Sequence, residues 1–285
     1  MSSIESILNE EIISSTSVGG GCIADSRKIV TESGREFFLK SGNKSNCMFR
    51  CEANGLKELS KAQCLRVPQV IAVEDDFLLL EYIPQGIRTN QFFKEFGQSL
   101  ARLHRFQSDR FGFYEDNFIG ATPQLNVPER EEEKDWVAFY FNKRLLYQYK
   151  LAEKNGYVTP RMKSSFSKLE SRIGFILKGS EEPPCLLHGD LWSGNYLCDK
   201  NGKSVLIDPA VYYGHREADL SMTKLFGGFP QDFYDAYHQE YPLSCGWQYR
   251  ENIYKLYHIL NHLNLFGTGY LFEAEQILER FVKGS

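Results

Sequence analysis

An eight-residue stretch from His188 to Asn195, which reads His-Gly-Asp-Leu-Trp-Ser-Gly-Asn, limits the folds and functions open to this chain. It lies between two short apolar segments, residues 184–187 and 196–198, that are typical of β-strands. A further acidic residue, Asp208, follows thirteen residues after Asn195, at the end of another apolar segment. The spacing therefore predicts an aspartate, an asparagine and a second aspartate at the ends of neighbouring strands.

These three side chains suit one kind of chemistry, the transfer of a phosphoryl group from ATP. Such a transfer needs a carboxylate that orients and deprotonates the attacking hydroxyl, and hard oxygen ligands that hold Mg²⁺ against the phosphates. Asp190 fits the first role, whereas Asn195 and Asp208 fit the second. The stretch also matches the kinase catalytic-loop pattern His-Arg-Asp-Leu-x-x-x-Asn, except that Gly189 replaces the arginine. The alternative is a polar turn in which Asp190 and Asn195 only bind backbone amides.

The composition fits a globular protein that is large enough for two lobes. The chain has 285 residues, of which 42% are hydrophobic and 25% are charged, and its formal net charge is −4. This charge gives no electrostatic reason to expect nucleic acid or an anionic membrane as a partner. The acidic segment 1–11 fits neither a secretory signal nor a transit peptide, and seven cysteines at irregular spacing fit a reducing compartment. We therefore expect a cytoplasmic protein.

The first forty residues predict three short strands, with a triple glycine, Gly19, Gly20 and Gly21, between the first two. Glycine lets backbone N–H groups approach a phosphate closely, so this turn is a candidate phosphate-binding loop. A tight hairpin without a ligand explains the same residues equally well. Cys22, beside this turn, permits a redox-sensitive dimer or, equally, an inert side chain in a monomer.

A buried ion pair is predicted between Lys40 and Glu52. Lys40 ends the third strand, and the helix that follows, at about residues 46–61, carries Glu52 within its apolar face. A carboxylate on an inward face is costly unless a cation compensates it, and Lys40 is the nearest candidate in the chain. Such a pair would hold Lys40 against the α and β phosphates of ATP.

The chain divides near Pro84-Gln85-Gly86, which interrupts the pattern after two further predicted strands, at residues 69–73 and 77–83. We predict an N-terminal nucleotide-binding lobe at residues 1–85 and a C-terminal catalytic and substrate-binding lobe at residues 86–285. In a two-lobed kinase the adenine would bind backbone groups of the connecting segment, here Glu81, Tyr82 and Ile83. Helical periodicity dominates the second lobe and predicts helices at about residues 89–105, 135–151, 161–177, 220–225, 231–240 and 247–265.

Four motifs together resemble those of one family. They are Gly-Gly-Gly-Cys-Ile at residues 19–23, Met-Phe-x-x-Glu at residues 48–52, the stretch at 188–195, and Ile-Asp-Pro-Ala-Val-Tyr-Tyr-Gly-His-Arg-Glu-Ala-Asp-Leu at 207–220. On these motifs, which extend over nearly the whole chain, the sequence resembles the fructosamine-3-kinase (ketosamine-3-kinase) family of kinase-like phosphotransferases. The resemblance implies an α+β, protein-kinase-like fold of two lobes. The N-lobe would be an antiparallel sheet with one main helix, and the C-lobe mostly helical, of the aminoglycoside-phosphotransferase type.

The resemblance also implies an activity, the Mg²⁺- and ATP-dependent phosphorylation of the sugar 3-hydroxyl of ketosamines. These acceptors are fructosamine or ribulosamine adducts of amines or of protein lysines, and the 3-phosphate promotes loss of the sugar, which is deglycation. Carried over by position, the family's base, metal ligands and phosphate clamp fall on the residues assigned above. Four further residues, Trp192, Tyr213, His215 and Glu217, would lie near the sugar, and Asp219 would hold the catalytic loop.

The sequence is also compatible with two other functions. A kinase of the same fold could act on a hydroxyl of an aminoglycoside, choline or homoserine, and the run at 207–220 is what favours a ketosamine. A catalytically inactive nucleotide-binding module would usually lack the base, a metal ligand or the lysine, all of which are present here. Asp208 is followed by Pro-Ala rather than Phe-Gly, and no Ala-Pro-Glu segment is visible, so phosphorylation of protein serine or threonine is not expected.

Overall fold

Five strands of the N-terminal lobe form an antiparallel sheet in the spatial order β1-β2-β3-β5-β4. The structure is a computed structural model that describes residues 2–19, 25–42 and 47–282. The strands are Ile12–Ser17 (β1), Asp25–Thr31 (β2), Glu36–Ser41 (β3), Val70–Val73 (β4) and Phe77–Glu81 (β5). The helix Ser2–Leu8 (α1) precedes the sheet, and the longer helix Met48–Lys61 (α2) connects β3 to β4. The predicted antiparallel sheet with one main helix is confirmed.

One face of this sheet packs on α1 and the other packs on α2. Because side chains alternate along a strand, consecutive residues of β5 lie on opposite faces. The α1 side buries Ile4, Leu8, Ile29, Phe37, Leu39, Phe77 and Leu79, and the α2 side buries Phe49, Ala53, Leu56, Leu78 and Leu80. Lys40 stands opposite Leu78 in the register of β3 and β5, so its side chain lies on the α2 face. Glu52 on α2 is therefore within reach of Lys40.

The two lobes are joined by the segment between β5 and the first helix of the C-lobe. Gln85 pairs with Asp199, and the Gly86 N–H donates to the Cys198 carbonyl at 2.9 Å. A Cβ at Gly86 would overlap the Asp199 carbonyl and come 2.8 Å from the Lys200 Cα, so only glycine allows this close approach. The connection is thus fixed to the C-lobe by its own backbone.

Eight α-helices are described in the C-lobe. They are Phe92–Leu103 (α3), Trp136–Tyr140 (α4), Tyr147–Lys154 (α5), Pro160–Ile176 (α6), Glu217–Thr223 (α7), Gln231–Glu240 (α8), Trp247–Phe266 (α9) and Leu271–Val282 (α10). A π-helical turn, Phe141–Leu146, joins α4 to α5, and a 3₁₀ turn, Thr268–Tyr270, joins α9 to α10. All six helices that the periodicity predicts in this lobe are present, whereas α10 was not predicted.

Local sequence determines where several of these helices begin. Asp135 precedes α4 and its carboxylate accepts a hydrogen bond from the Ala138 N–H at 3.1 Å. Thr159 precedes α6, and its hydroxyl accepts from the Met162 N–H at 3.0 Å while Pro160 takes the first helical position. Both arrangements satisfy N–H groups that have no partner within the helix.

Six short strands form three two-stranded ribbons in the same lobe. Asn117–Ile119 (β6) pairs with Thr122–Gln124 (β7), Cys185–Leu187 (β8) with Tyr212–Gly214 (β11), and Tyr196–Cys198 (β9) with Ser204–Leu206 (β10). The β6–β7 ribbon was not predicted, because three-residue strands in a polar segment show no clear alternation. The stretch from His188 to Asn195 connects β8 to β9.

Among the helices of the described ranges, none combines the length and the apolar composition that crossing a bilayer requires.

Gly97 on α3 and Gly174 on α6 provide a matched test of helix packing. A Cβ at Gly97 would overlap the Phe233 carbonyl on α8, whereas a Cβ at Gly174 would meet no atom within 4 Å. We expect Gly174→Ala to raise the free energy of unfolding by about 1 kcal/mol, because alanine favours a helix. We expect Gly97→Ala to lower it by about 2 kcal/mol, because α3 and α8 must separate. Urea denaturation measures both, and equal stabilities would contradict this packing.

Candidate active site

The loop between β8 and β9 brings Asp190 and Asn195 into direct contact. The Asn195 side-chain amide donates to the Asp190 backbone carbonyl at 2.8 Å and to its carboxylate at 3.1 Å. Because both amide hydrogens are directed to Asp190, the Asn195 amide oxygen is the atom that can bind a cation. Asn195 is buried, so its orientation is fixed by these bonds.

The carboxyl group of Asp190 has the electrostatics of a base that works near neutral pH. Burial raises the pKa of Asp190 to about 7, and the charge of Asp208 adds to this effect. The hydrogen bond from Asn195 acts in the opposite direction, because it favours the ionised form. A base whose pKa lies near the working pH can both accept and release a proton readily.

Lys40 links the two lobes through two carboxylates. Its ammonium group binds Glu52 of α2 at 2.6 Å and also binds Asp208 of the C-lobe. Burial alone would lower the pKa of Lys40, but the charges of Glu52 and Asp208 raise it above its ordinary value. Lys40 is therefore a charged group on the inward face of the sheet, and the ion pair with Glu52 that the sequence predicts is present.

Asp208 has a backbone conformation that is uncommon for a side-chain-bearing residue, with φ of 54°. Aspartate tolerates this left-handed region better than most residues, because its short side chain can bind locally. The Asp208 side chain is 42% exposed, so one part of the carboxylate binds Lys40 while another faces solvent. Asp208 and Asn195 are the two oxygen donors that the sequence proposes for a metal.

His188 connects the catalytic loop to the segment that precedes Asp208. Its Nδ1 accepts the Asp190 N–H at 3.2 Å, and its Nε2–H donates to the Ile207 carbonyl at 2.9 Å. Burial lowers the pKa of His188, so the neutral ring with its proton on Nε2 satisfies both contacts. His188 is thus a brace inside the loop.

Asp219 of α7 anchors the same loop from the other side. Its two carboxylate oxygens accept the backbone N–H groups of His188 and Gly189, each at 2.8 Å. It also contacts His104 Nε2 at 3.3 Å, while His104 Nδ1 binds the Tyr237 hydroxyl at 2.7 Å. Burial opposes ionisation of Asp219, but these donors hold its pKa below the ordinary value. The geometry matches the loop-holding role that the family resemblance implies for Asp219.

Gly189 explains why the loop departs from the His-Arg-Asp pattern. Its φ is +83°, and a Cβ at this position would overlap the Ala210 carbonyl oxygen. The His188 carbonyl accepts the Ala210 N–H at 2.9 Å, so the two backbone segments run against each other here. An arginine would have no room, and Asp219 binds the loop directly through its backbone.

The predicted nucleotide-binding residues are only partly described. Gly19 is exposed just beyond the end of β1, where the chain turns towards β2, while Gly20, Gly21 and Cys22 lie outside the described residues.

The three predicted adenine-side residues occupy the connection between the lobes. Glu81 forms an ion pair with Arg66, Tyr82 lies under the Lys28 ammonium at 4.4 Å, and Ile83 is buried. Their side chains are thus engaged with the protein, and it is their backbone groups that the adenine prediction concerns.

Trp192 is the one predicted sugar-side residue that lies on the catalytic loop itself. It is half-buried, two residues after Asp190, and its indole covers Gly194, where a Cβ would come 2.9 Å from Cε2. Its outer edge meets Phe226 in an edge-to-face contact with 6.0 Å between the ring centroids.

The side chains of the other three predicted sugar-side residues are engaged elsewhere. The Tyr213 hydroxyl donates to Glu58 on α2 at 2.9 Å. His215 stacks on Trp136 with 4.6 Å between the ring centroids, and its Nε2–H donates to the Glu182 carbonyl at 3.1 Å. Glu217 binds Arg250 through both of its oxygens, at 2.5 and 2.8 Å.

These contacts give no support to a sugar-binding role for Tyr213, His215 and Glu217, and that role stays a prediction. In the β8–β11 ribbon, Tyr212 pairs with Leu187 and Gly214 pairs with Cys185, so the chain leads away from His188 towards His215. His215 instead lines a separate cavity of about 600 Å³ together with Trp136 and Glu182.

The structure adds supporting residues that the sequence reasoning missed. The Gln124 amide donates to the Ala210 carbonyl at 2.9 Å, and the Asn117 amide donates to the Val211 carbonyl at 2.8 Å. Both residues belong to the unpredicted β6–β7 ribbon, which fixes the segment after Asp208. Their only signal in the sequence is a pair of amides in an otherwise irregular loop.

The unequal surroundings of Asp190 and Asp208 predict opposite effects of removing their charges. The pKa of Asp190 is raised on folding, so the folded protein binds the proton more tightly and its stability falls as the pH rises from about 4 to 7. We expect Asp190→Asn to raise the free energy of unfolding at pH 8 by roughly 2 kcal/mol, with a smaller gain at pH 5. Asp208→Asn, the control, removes a partner of Lys40 and should lower stability at both pH values. Chemical denaturation at the two pH values measures the free energy of unfolding of both variants. A lower stability of Asp190→Asn than of the wild type at pH 8 would contradict the raised pKa of Asp190.

Comparison with known proteins assigns the chain to a family. The family model described as fructosamine kinase matches residues 2–284. A chloroplastic protein-ribulosamine 3-kinase from Arabidopsis thaliana is 40% identical over 276 residues, which cover 94% of this chain and 82% of the relative. A probable ketoamine kinase from Enterococcus faecium is 39% identical over 269 residues, which cover 93% and 94% of the two chains.

Solved structures agree with this assignment. A Thermobifida fusca protein described as a putative fructosamine-3-kinase superposes with a TM-score of 0.88 at 30% identity, covering 99% of this chain and 98% of the other. The choline kinase LicA from Streptococcus pneumoniae has a TM-score of 0.65 at 15% identity, covering 99% and 96%, and shares the fold alone. With a family model that spans all but its terminal residues, this chain belongs to the fructosamine kinase family.

Proposed function

We propose that this protein transfers the γ-phosphoryl group of ATP to the sugar 3-hydroxyl of a ketosamine, a fructosamine or ribulosamine adduct of an amine or a protein lysine. Phosphoryl transfer is supported above all by the position of Asp190, which lies beside Asn195 and close to the Lys40–Asp208 ion pair and has a pKa of about 7. The acceptor class is supported by relatives that are named ribulosamine and ketoamine kinases. Phosphorylation at this position promotes loss of the sugar, so the biological outcome we propose is deglycation.

Asp190 is the proposed base. Its carboxylate is held by the Asn195 amide, and the His188 ring fixes the backbone that carries it. In the ionised form it orients the sugar hydroxyl and accepts its proton as the oxygen attacks phosphorus. Because the loop is anchored by Asp219, the base is positioned before any substrate binds.

Lys40 is the proposed phosphate clamp. Its charge is maintained by Glu52 and Asp208, and Glu52 directs the ammonium group to the cleft between the lobes. We propose that the backbone groups of residues 81–83 bind the adenine and that the Gly19–Gly21 turn covers the phosphates. The charged lysine would stabilise negative charge on the phosphates as the γ-phosphoryl group leaves.

The donor set fits Mg²⁺. Asn195 and Asp208 offer hard oxygen atoms, and within the described residues no group of three or more His, Cys, Asp or Glu side chains could hold a metal alone. Mg²⁺ is usually held by one or two protein oxygens together with substrate phosphates and water, so two protein donors suffice. When bound, the metal would neutralise charge on the phosphates. Asn195 and Asp208 are its proposed ligands.

The acceptor class can be tested by ADP release with Mg·ATP and four candidates: fructoselysine, ribuloselysine, kanamycin and choline. We expect turnover with the two ketosamines, and the ratio of their kcat/KM values gives the preferred sugar. Asp190→Ala should lower kcat by about 10²- to 10⁴-fold while ATP still binds, because only the base is lost. Turnover confined to kanamycin or choline would reject the ketosamine, and a fully active Asp190→Ala enzyme would reject the mechanism.

The pKa of Asp190 predicts a pH profile. A base with a pKa of about 7 is mostly protonated at pH 6 and mostly ionised at pH 8. At saturating ATP, we expect kcat/KM for the ketosamine to be about tenfold lower at pH 6 than at pH 8, with a plateau above. Thermal unfolding at each pH is the control for loss of fold. A flat profile between pH 6 and pH 8 would show that Asp190 does not limit the rate as a base.

A further inference from the structure

One face of α2 is fastened to the C-lobe. The residues on this face, Cys51, Asn54, Gly55 and Glu58, follow the spacing i, i+3, i+4 and i+7, which places them along one side of a helix. The opposite side carries the apolar residues that pack on the sheet. Helix α2 therefore lies between the two lobes, and both of its sides are occupied.

The contacts of this face are specific. The Cys51 thiol donates to the Asp116 carbonyl at 3.5 Å, and the Asn54 amide donates to the Glu115 carboxylate at 2.9 Å. A Cβ at Gly55 would come 3.2 Å from a methyl group of Val211, so the helix backbone approaches the C-lobe closely at this point. The middle of α2 thus packs directly on the segment that follows Asp208.

Glu58, the last residue of this face, accepts a hydrogen bond from Tyr213. The Tyr213 hydroxyl donates to one Glu58 oxygen at 2.9 Å, and Lys61 binds the other oxygen at 2.6 Å. Glu58 is only 7% exposed, so these two donors compensate a buried carboxylate. Hydrogen bonds to charged groups are roughly twice as strong as those between neutral groups.

The same helix carries Glu52, whose position determines where Lys40 lies. Glu52 is six residues, or less than two turns, before Glu58, so a roll or shift of α2 at Glu58 moves Glu52 as well. Lys40 sits on a strand of the sheet and cannot follow such a movement without losing one of its two carboxylates. A contact that fixes α2 against the C-lobe therefore fixes the phosphate clamp.

We propose that Tyr213 is a positioning residue for the nucleotide, acting through Glu58 and α2 rather than by touching the sugar. The hydrogen bond holds α2 in the register in which Glu52, Lys40 and Asp208 meet. This lobe-to-lobe contact keeps the clamp assembled in the folded protein. The inference rests on the proposed function only in that ATP is the nucleotide that Lys40 binds.

The test is Tyr213→Phe, which removes one hydroxyl and keeps the ring. We expect Mg²⁺ with a non-hydrolysable ATP analogue to bind about five- to tenfold more weakly by calorimetry, because Glu52 no longer holds Lys40 in place. Amide hydrogen exchange should become faster across α2, and the KM for the ketosamine should change less than twofold. Tyr140→Phe is the matched control, since the Tyr140 hydroxyl binds backbone carbonyls of Ile253 and Tyr254 inside the C-lobe. It should lower thermal stability without weakening nucleotide binding.

A double-mutant cycle connects the effect to Glu58. If the two groups act through one bond, Tyr213→Phe and Glu58→Ala together should weaken nucleotide binding no more than the worse single variant. Additive losses would overturn the proposal, as would unchanged nucleotide binding and exchange in Tyr213→Phe. A raised KM for the ketosamine with normal nucleotide binding would instead place the Tyr213 hydroxyl at the sugar. Nucleotide binding and amide hydrogen exchange are measured without a phosphoryl acceptor. They therefore test the role of Tyr213 even if the enzyme phosphorylates something other than a ketosamine.

Discussion

The buried charge of Lys40 is the constraint on which the arrangement of the two lobes depends. An ammonium group on the inward face of a sheet is stable only if carboxylates reach it, and it has two, one from each lobe. Glu52 arrives on α2 and Asp208 arrives on the segment after β10, so this ion pair forms only when the sheet, the helix and the C-lobe are docked. The contacts that compensate the charge of Lys40 are thus the same contacts that assemble the phosphate clamp.

The catalytic loop is rigid for a related reason. Asp219 is itself a buried carboxylate, and the donors that compensate it are the backbone N–H groups at the start of the loop. The Nε2 atom of His104 also contacts the Asp219 carboxylate. The loop is thereby tied to α7, and the neutral His188 ring ties it to Ile207. Polar groups that are expensive to bury have been paired with one another, and their pairing fixes the loop.

The sequence predicted those parts of the protein that depend on local pattern or on one obvious electrostatic requirement. The order of sheet and helices follows from periodicity, and the Lys40–Glu52 pair follows from a carboxylate on an apolar helix face. The partner of Tyr213 could not be predicted in this way, because Glu58 lies 155 residues earlier in the chain. The β6–β7 ribbon was missed because its strands are too short for a period to appear.

The same limit applies to His215 and Glu217, which only the family resemblance, and not the local pattern, suggests to lie near the sugar. Both stand in a polar run that is dense in hydrogen-bonding groups, and such density suits a binding site as well as a packed core. In the structure, Glu217 forms a buried bidentate pair with Arg250, and His215 stacks on Trp136. The sequence around His215 and Glu217 does not show that Trp136 and Arg250 are their partners. From the sequence alone, a polar cluster that supports the fold cannot be told from one that binds a substrate.

The division of labour between Asp190 and Asp208 follows from their surroundings rather than from their residue type. Asp208 contacts the Lys40 cation and is partly exposed, so part of its carboxylate is free to bind a metal from the solvent side. Asp190 is held by the neutral amide of Asn195, and burial, helped by the nearby charge of Asp208, raises its pKa to about 7 although the Asn195 hydrogen bond acts in the opposite direction. Had Lys40 contacted Asp190 instead, the carboxylate would hold its charge at lower pH but bind a proton too weakly to serve as a base. The position of Lys40, beside Asp208 and not beside Asp190, therefore suits Asp208 to bind the metal and Asp190 to act as the base.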